Sequence, residues 1–341
     1  EGFELKNTIS IFIKGQNSKK FFNLLTSDLK IIFSQNLNFR RSNKVDSDIS
    51  FNIDNSLSNE EYKIEIDKNV YINGGSYNAI TMAKSSLIQM FKLKDNKTLI
   101  LPKSKIYDKP DSSYRGLMID LSRMWHSLKS IRNVIDLASF YKIKYLQLHL
   151  SDDQAFVFPT DSFPNLPTPD RPYSKKDFIE LVDYAKVRGI TIVPEIDVPG
   201  HSRQFIETYP EIFDVENGIK KSNVINIANE KVYSALDQII GEVAEIFYNS
   251  PYIHMGADEA NLNLYKNVRE VKSYMKKNKL GNDVHELYRY FIIRINEIVK
   301  SYDKQMLVWE GFRREGKIKI PKDIIVFEFE TLYHHPKSLI E

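Results

Sequence analysis

Apolar positions change rhythm near residue 110. Before it, residues 9–13, 49–53, 62–66 and 70–72 are apolar at every second position between Asn, Asp, Ser and Gly, which predicts short strands. Residues 19–33 and 79–91 instead repeat at helical spacing, the second run after the turn Asn73-Gly74-Gly75-Ser76. Beyond Tyr114, short apolar runs at 117–121, 143–150, 190–196, 252–255, 306–309 and 324–329 are separated by helical patterns, notably 128–141, 175–188, 232–248 and 284–302. Strands alternating with helices predict a parallel sheet. The expected architecture is α/β, with a small α+β domain over 1–110 and a TIM-like (β/α)8 barrel over 111–341. Six barrel strands are identifiable, whereas closure takes eight. Either strands escape the pattern or the barrel continues in sequence after Glu341.

Composition narrows the partners. The 341 residues carry 48 basic and 45 acidic side chains, a net charge of +3, and no long basic run interleaves with aromatics. Nucleic acid is therefore not an expected partner. The absence of cysteine removes disulfides, zinc-thiolate sites and thiol nucleophiles. No apolar run approaches the roughly 20 residues of a membrane span. A chain that opens on Glu1 with no apolar leader is read as trimmed or processed.

In a parallel α/β fold, chemistry sits past the strands' C-terminal ends. Polar residues cluster there: Asp120 and Arg123 after the first barrel run, and His149, Asp152 and Asp153 after the second. Glu195, Asp197 and His201 follow the third, Asp258 and Glu259 the fourth, and Trp309 and Glu310 the fifth. The adjacent pair Asp258-Glu259, behind an apolar run and Gly256, is the leading candidate for the reactive centre. Adjacent carboxylates cannot easily face each other across a sugar ring as an ordinary glycosidase pair does. They suit substrate-assisted hydrolysis, in which a 2-acetamido oxygen is the nucleophile, one carboxylate orients it and the other is the acid and base. His149, Asp152, Asp153 and His201 read either as a relay behind that acid or as metal ligands, though their spacing matches no recognised ligand motif. Arg115 and Arg123 flank Asp120; each suits paired sugar hydroxyls or a salt bridge closing the barrel, and the latter is favoured for Arg123. Trp309 reads as a sugar-stacking wall or as core.

Five motifs in order resemble the β-N-acetylhexosaminidases of glycoside hydrolase family 20. They are Arg115-Gly116-Leu117-Met118-Ile119-Asp120 with Arg123, His149-Leu150-Ser151-Asp152-Asp153-Gln154, and Pro194-Glu195-Ile196-Asp197 with Pro199-Gly200-His201. Two more complete the set, His254-Met255-Gly256-Ala257-Asp258-Glu259 and Val308-Trp309-Glu310. The stretch 57–90 is similar to the small domain preceding the family's barrel. The resemblance implies an exo-acting, retaining enzyme that releases terminal β-linked N-acetylglucosamine or N-acetylgalactosamine. Asp258 would orient the acetamido group and stabilise an oxazolinium intermediate, with Glu259 as general acid/base. Asp152 and His201 would form the relay behind Glu259, Asp152 being preferred to Asp153 by motif position. Arg115, Trp309, Asp153, His149 and Glu310 would contact substrate. No metal or other cofactor is implied. The glycan-degrading role points to a secreted, periplasmic or lysosome-like location. An amino-sugar-binding relative with little or no turnover is the alternative, and a metal-dependent hydrolase, inactivated by chelator, is the third reading. Departures from the family pattern are Gln147 and Leu148 in the second strand and Glu328-Phe329 in the sixth. Tyr333 is the candidate for a later pocket tyrosine.

Overall fold

The computed structural model describes all residues except 1, 7, 16, 216–221, 331–334, 336, 338, 340 and 341, so Tyr333 lies outside the described residues. The chain divides into two compact units, one of residues 1–117, 129–146 and 183–191, the other of 118–128, 147–182 and 192–341.

The first unit opens with β1 (Gly2–Leu5), β2 (Thr8–Ile13), α1 (Ser18–Ile32), β3 (Asn38–Ser42), β4 (Ile49–Ile53), β5 (Tyr62–Ile66) and β6 (Val70–Gly74). It continues through α2 (Tyr77–Met90), β7 (Lys92–Asp95), β8 (Thr98–Pro102) and β9 (Ser104–Asp108). A mixed sheet runs in the order β3-β2-β4-β6-β5-β9, and β1-β8-β7 form a small antiparallel sheet. Alternation decides which face is buried: in β5, Tyr62, Ile64 and Ile66 point inward while Lys63 and Glu65 face water. Helix α1 covers the sheet with Phe21, Leu24, Leu25 and Leu29, spaced to share one face. Each such buried side chain contributes roughly 1.5–3 kcal/mol relative to exposure. Helix α2 starts where Ser76 accepts the Ala79 N–H at 3.2 Å, a cap worth about 1 kcal/mol.

The barrel strands are β10 (Gly116–Asp120), β11 (Tyr145–His149), β12 (Thr191–Glu195), β13 (Tyr252–His254), β14 (Gln305–Trp309) and β15 (Ile325–Phe327). They form one sheet in sequence order, open between β15 and β10 among the described residues. The principal helices between them are α3 (Leu128–Phe140), α4 (Lys175–Val187), α7 (Glu230–Ile246) and α9 (Val284–Ser301). Strand β11 is buried along its whole length, as expected of a parallel strand covered on both faces. Helix α7 begins at Asn229, whose side chain accepts the Lys231 N–H, and presents Val232, Leu236, Ile239, Ile240 and Val243 to the core. Register brings strand ends together: Glu195 lies beside His254, and Trp309 beside Phe327.

All six expected strands and four expected helices are present within a few residues of the sequence-based bounds. Sequence periodicity passes over α5 (Arg203–Thr208), α6 (Pro210–Phe213), a 3-10 turn at Leu262–Tyr265 and α8 (Arg269–Lys277). These are one to three turns long and too short for a repeating apolar stripe to register. Among the described residues no helix is long and apolar enough to cross a membrane.

Candidate active site

The chain leaves β13 through Gly256-Ala257-Asp258-Glu259 with φ of +62° at Gly256, +70° at Ala257 and +47° at Glu259. A left-handed residue other than glycine costs about 1–2 kcal/mol, so this shape must be held by its surroundings. It is. The Ala257 N–H donates to Asp197 Oδ1 at 3.2 Å, the Tyr288 hydroxyl donates to the Ala257 carbonyl, and the Trp309 N–H donates to the Gly256 carbonyl at 2.7 Å. A Cβ at Gly256 would lie 1.8 Å from Asp197 Oδ1, which leaves no space for any other residue. A Cβ at Gly200 would lie 2.7 Å from the Asp258 carbonyl, so the second glycine lets the β12 loop close onto the acids. The backbone thus fixes two different environments for neighbouring carboxylates. The Asp258 side chain is 13 % exposed and that of Glu259 54 %. Asp258 Oδ1 is buried and makes no hydrogen bond among the described residues.

His201 bridges the acids and the strand ends behind them. Its Nε2 lies 3.2 Å from Glu259 Oε2 and 3.5 Å from Asp258 Oδ2, and its Nδ1 lies 3.5 Å from Asp152 Oδ1. Asp152 and Asp258, working against burial, push the imidazole up to about 11. Burial alone would raise Asp152, but His149 and His201 overcome it and hold the carboxyl well below the usual carboxylate range. Arg123 completes the cluster, with Nη2 at 2.6 Å from Asp152 Oδ2 and Nη1 at 2.7 Å from Asp120 Oδ2, its side chain still 45 % exposed. Asp197 is buried beside these groups; burial first, then Asp258 and Glu195, raise its carboxyl well above the usual range. A neutral carboxyl is tolerated next to Asp258 where a second charge would be repelled.

Beneath them, fully buried Glu195 organises the floor. Its Oε1 accepts the Trp309 Nε1–H at 2.8 Å and lies 3.3 Å from His254 Nδ1. Its Oε2 accepts from Gln147 Nε2 at 2.8 Å and lies 3.0 Å from His149 Nδ1. Burial favours the neutral acid, yet His254 and His149 outweigh it and keep Glu195 well below the usual range. Glu195 and Asp152 in turn lift His149 to about 11 against the effect of burial. The Trp309 ring is pinned by this bond and packs on His254, with centroids 4.7 Å apart.

The profile described as "Glycosyl hydrolase family 20, catalytic domain" matches residues 113–339, and "Glycosyl hydrolase family 20, domain 2" matches residues 1–109. The chain belongs to glycosyl hydrolase family 20. Among its relatives, a β-hexosaminidase of Vibrio furnissii is 28% identical over 313 residues, 83% of this chain and 50% of that protein. β-Hexosaminidase 3 of Arabidopsis thaliana is 32% identical over 209 residues, 60% of this chain and 38% of that protein. The crystal structure of the family 20 exo-β-N-acetylglucosaminidase of Vibrio harveyi, in complex with N-acetylglucosamine, superposes with a TM-score of 0.86 at 26% identity. That likeness covers 96% of this chain and 55% of that one. The chain therefore spans half or less of the two curated relatives.

Within this family 20 fold, the residues singled out from sequence fall into two groups. Asp152, His201, Asp258 and Glu259 lie together, and Trp309 stands over the same floor. Four others, expected as substrate contacts, are paired or buried within the protein itself. Arg115 belongs to the first unit and precedes β10, where Nη2 pairs with Glu60 at 2.8 Å and Nε and Nη1 donate to the Lys142 and Ser112 carbonyls. Its fork is already occupied. Asp153 is occupied too, accepting from the Arg203 N–H and from Asn223 Nδ2 to brace the following loop. His149 is buried between Asp152 and Glu195, and Glu310 is buried with its N–H on the Phe327 carbonyl. Sequence reasoning noted Arg123, Asp197, Glu195 and Gln147 but gave none of them a catalytic or substrate-binding role. Arg123 does form the expected salt bridge, but to Asp152 as well as Asp120. The signal that could have found it is its place after the strand, where Arg115 stands before it.

Among the described residues, three sets of donors lie close enough to hold a cation: His149-Glu195-Asp197, Asp152-Asp153-His201 and Asp197-His201-Asp258. The same donors also pair among themselves, His149 with Asp152 and Glu195, and His201 with Asp152 and Asp258.

The raised imidazoles make folding pH-dependent. Below about 6.5 both the folded and unfolded states carry these protons, and the stabilisation is complete. Between about 6.5 and 11 only the folded state keeps them, so stability falls as pH rises. Urea unfolding midpoints should drop from pH 6 to pH 9, and His149→Gln should flatten that slope while lowering stability at pH 6. An equal slope in the variant would remove His149 as its source.

Proposed function

We propose that this chain carries the catalytic apparatus of an exo-acting, retaining β-N-acetylhexosaminidase, acting on terminal β-linked N-acetylglucosamine or N-acetylgalactosamine. The observation that carries this reading is the buried, unpartnered Asp258 Oδ1 beside a half-exposed Glu259. An acceptor fixed in an enclosed place suits the N–H of a 2-acetamido group, whose carbonyl oxygen is thereby turned onto the anomeric carbon. As the glycosidic bond breaks, that oxygen bonds to the anomeric carbon and the Asp258 carboxylate faces the positive oxazolinium ring. Glu259, on the open side, gives its proton to the leaving oxygen and then takes one from the incoming water. His201 and Asp152 hold Glu259 in place and supply charge behind it. In this reading Arg123, with donors still open to solvent, takes the sugar-hydroxyl role expected of Arg115. Trp309, fixed by Glu195, forms the wall against the acetamido methyl group. The names of the relatives, β-hexosaminidases and an exo-β-N-acetylglucosaminidase, support the substrate class.

The test is hydrolysis of an aryl β-N-acetylglucosaminide, with and without a thiazoline mimic of the cyclic intermediate. Turnover competitively blocked by the mimic is expected. Turnover that the mimic leaves untouched, or equal turnover of the 2-hydroxy glucoside, would remove acetamido participation.

A further inference from the structure

Six residues beyond Glu259, the same connection begins a second concave site. The 3-10 turn, α8 and the start of α9 enclose a cavity of about 470 Å³ with Tyr265, Met275 and Val284 at its base. Four lysines converge on it, Lys266, Lys272, Lys276 and Lys279, and no carboxylate lines it. Among the described residues none of the four makes an ion pair, although the whole chain has nearly as many acids as bases. Two acids beside it at the start of α9 are engaged elsewhere. Asp283 caps α9 by accepting the His285 N–H, and Glu286 accepts the Lys317 and Ile318 N–H groups.

All four lysines are exposed, and an ordinary solvated helix face would alternate such lysines with acids. Here Lys272 and Lys276 stand one turn apart on α8, a like-charge spacing that opposes helix formation. At the start of α9, burial first and then Arg313 and Lys266 lower the titration of His285, against Asp283 and Glu286, which raise it. In a β/α unit the segment from strand end to helix start lies on the catalytic face, and this one joins Glu259 to α9. A cavity of this kind offers apolar contact for a sugar ring and cations for its substituents.

We propose that this lysine-lined cavity binds the anionic groups, sulfate, phosphate or carboxylate, of a glycan chain that extends from the candidate active site. The saccharide part rests on the glycosidase reading; the anion site does not. The test measures binding of a heparin-derived hexasaccharide and of neutral chitohexaose to the full chain at several salt concentrations. It compares wild type, Lys272→Gln/Lys276→Gln and a control pair, Lys19→Gln/Lys20→Gln, and follows aryl N-acetylglucosaminide turnover in parallel. The expected result is heparin-fragment binding that weakens with salt, falls at least tenfold in the 272/276 variant and is unchanged in the control, with aryl turnover equal in all three. No binding by wild type, or equal loss in both variants, would overturn the site. Equally tight, equally lysine-dependent binding of an oligonucleotide of matched charge would overturn the saccharide assignment. Lysine-dependent binding without aryl turnover in any of the proteins would uphold the anion site and defeat the glycosidase reading.

Discussion

Glu259→Gln is expected to lower kcat/KM on a chitobiose-type substrate by about 10²–10⁴-fold, the usual worth of a positioned general acid. The loss on a nitrophenyl glycoside should be far smaller. A nitrophenolate departs without full protonation, and kcat/KM reports the cleavage step in which the acid acts. Glutamine keeps the size of the side chain and the φ of +47°, so the fold should be undisturbed. Equal losses on the two substrates would count against Glu259 as the acid. The structural basis for the assignment is exposure. Of the two carboxylates, Glu259 is the one open to solvent, where a leaving group must exit and water must enter.

Asp258→Asn should cost about 10²–10³-fold in kcat even on the activated aryl substrate, the range seen when one electrostatic contact to a developing charge is removed. The amide can still accept an N–H, so KM should change less than kcat. What is lost is the negative charge facing the cyclic cation, which the thiazoline mimic resembles, and its inhibition should weaken in parallel. Full activity in this variant would rule out the substrate-assisted route. The contrast between the two variants is itself informative: one loss depends on the leaving group, and the other does not.

How much of this was readable beforehand depends on whether a feature is local in sequence. Strands such as Tyr145–His149 and helices such as Val284–Ser301 bury continuous or periodic apolar sets, and those sets are visible in the chain itself. The acids at 258 and 259 were legible for the same reason, because a strand, a glycine and two carboxylates are contiguous. Where Arg115 lies was not legible, because proximity to Asp120 in sequence says nothing about which end of a strand a side chain occupies. Asp153 differs from Asp152 by one residue, and only the fold turns one toward His201 and the other toward Asn223. Gln147 stood out as a departure from the family pattern and proves to be a donor to buried Glu195, a partnership across 48 positions that no local pattern could announce. Strands β3, β7 and β9 escaped because edge strands carry charged residues on their open faces, which breaks the alternation that reveals a strand, and β1 and β8, four and five residues long, also went unpredicted.

The left-handed turn at Gly256, Ala257 and Glu259 also bears on transplantation. Its shape is not written in those residues but imposed by Asp197, Tyr288 and Trp309, which come from three other segments. Copying the sequence Gly-Ala-Asp-Glu onto another barrel would therefore move the letters without the geometry. A successful graft would have to carry the hydrogen-bonding partners with it, and those three positions belong to the portable unit as much as the four residues of the turn.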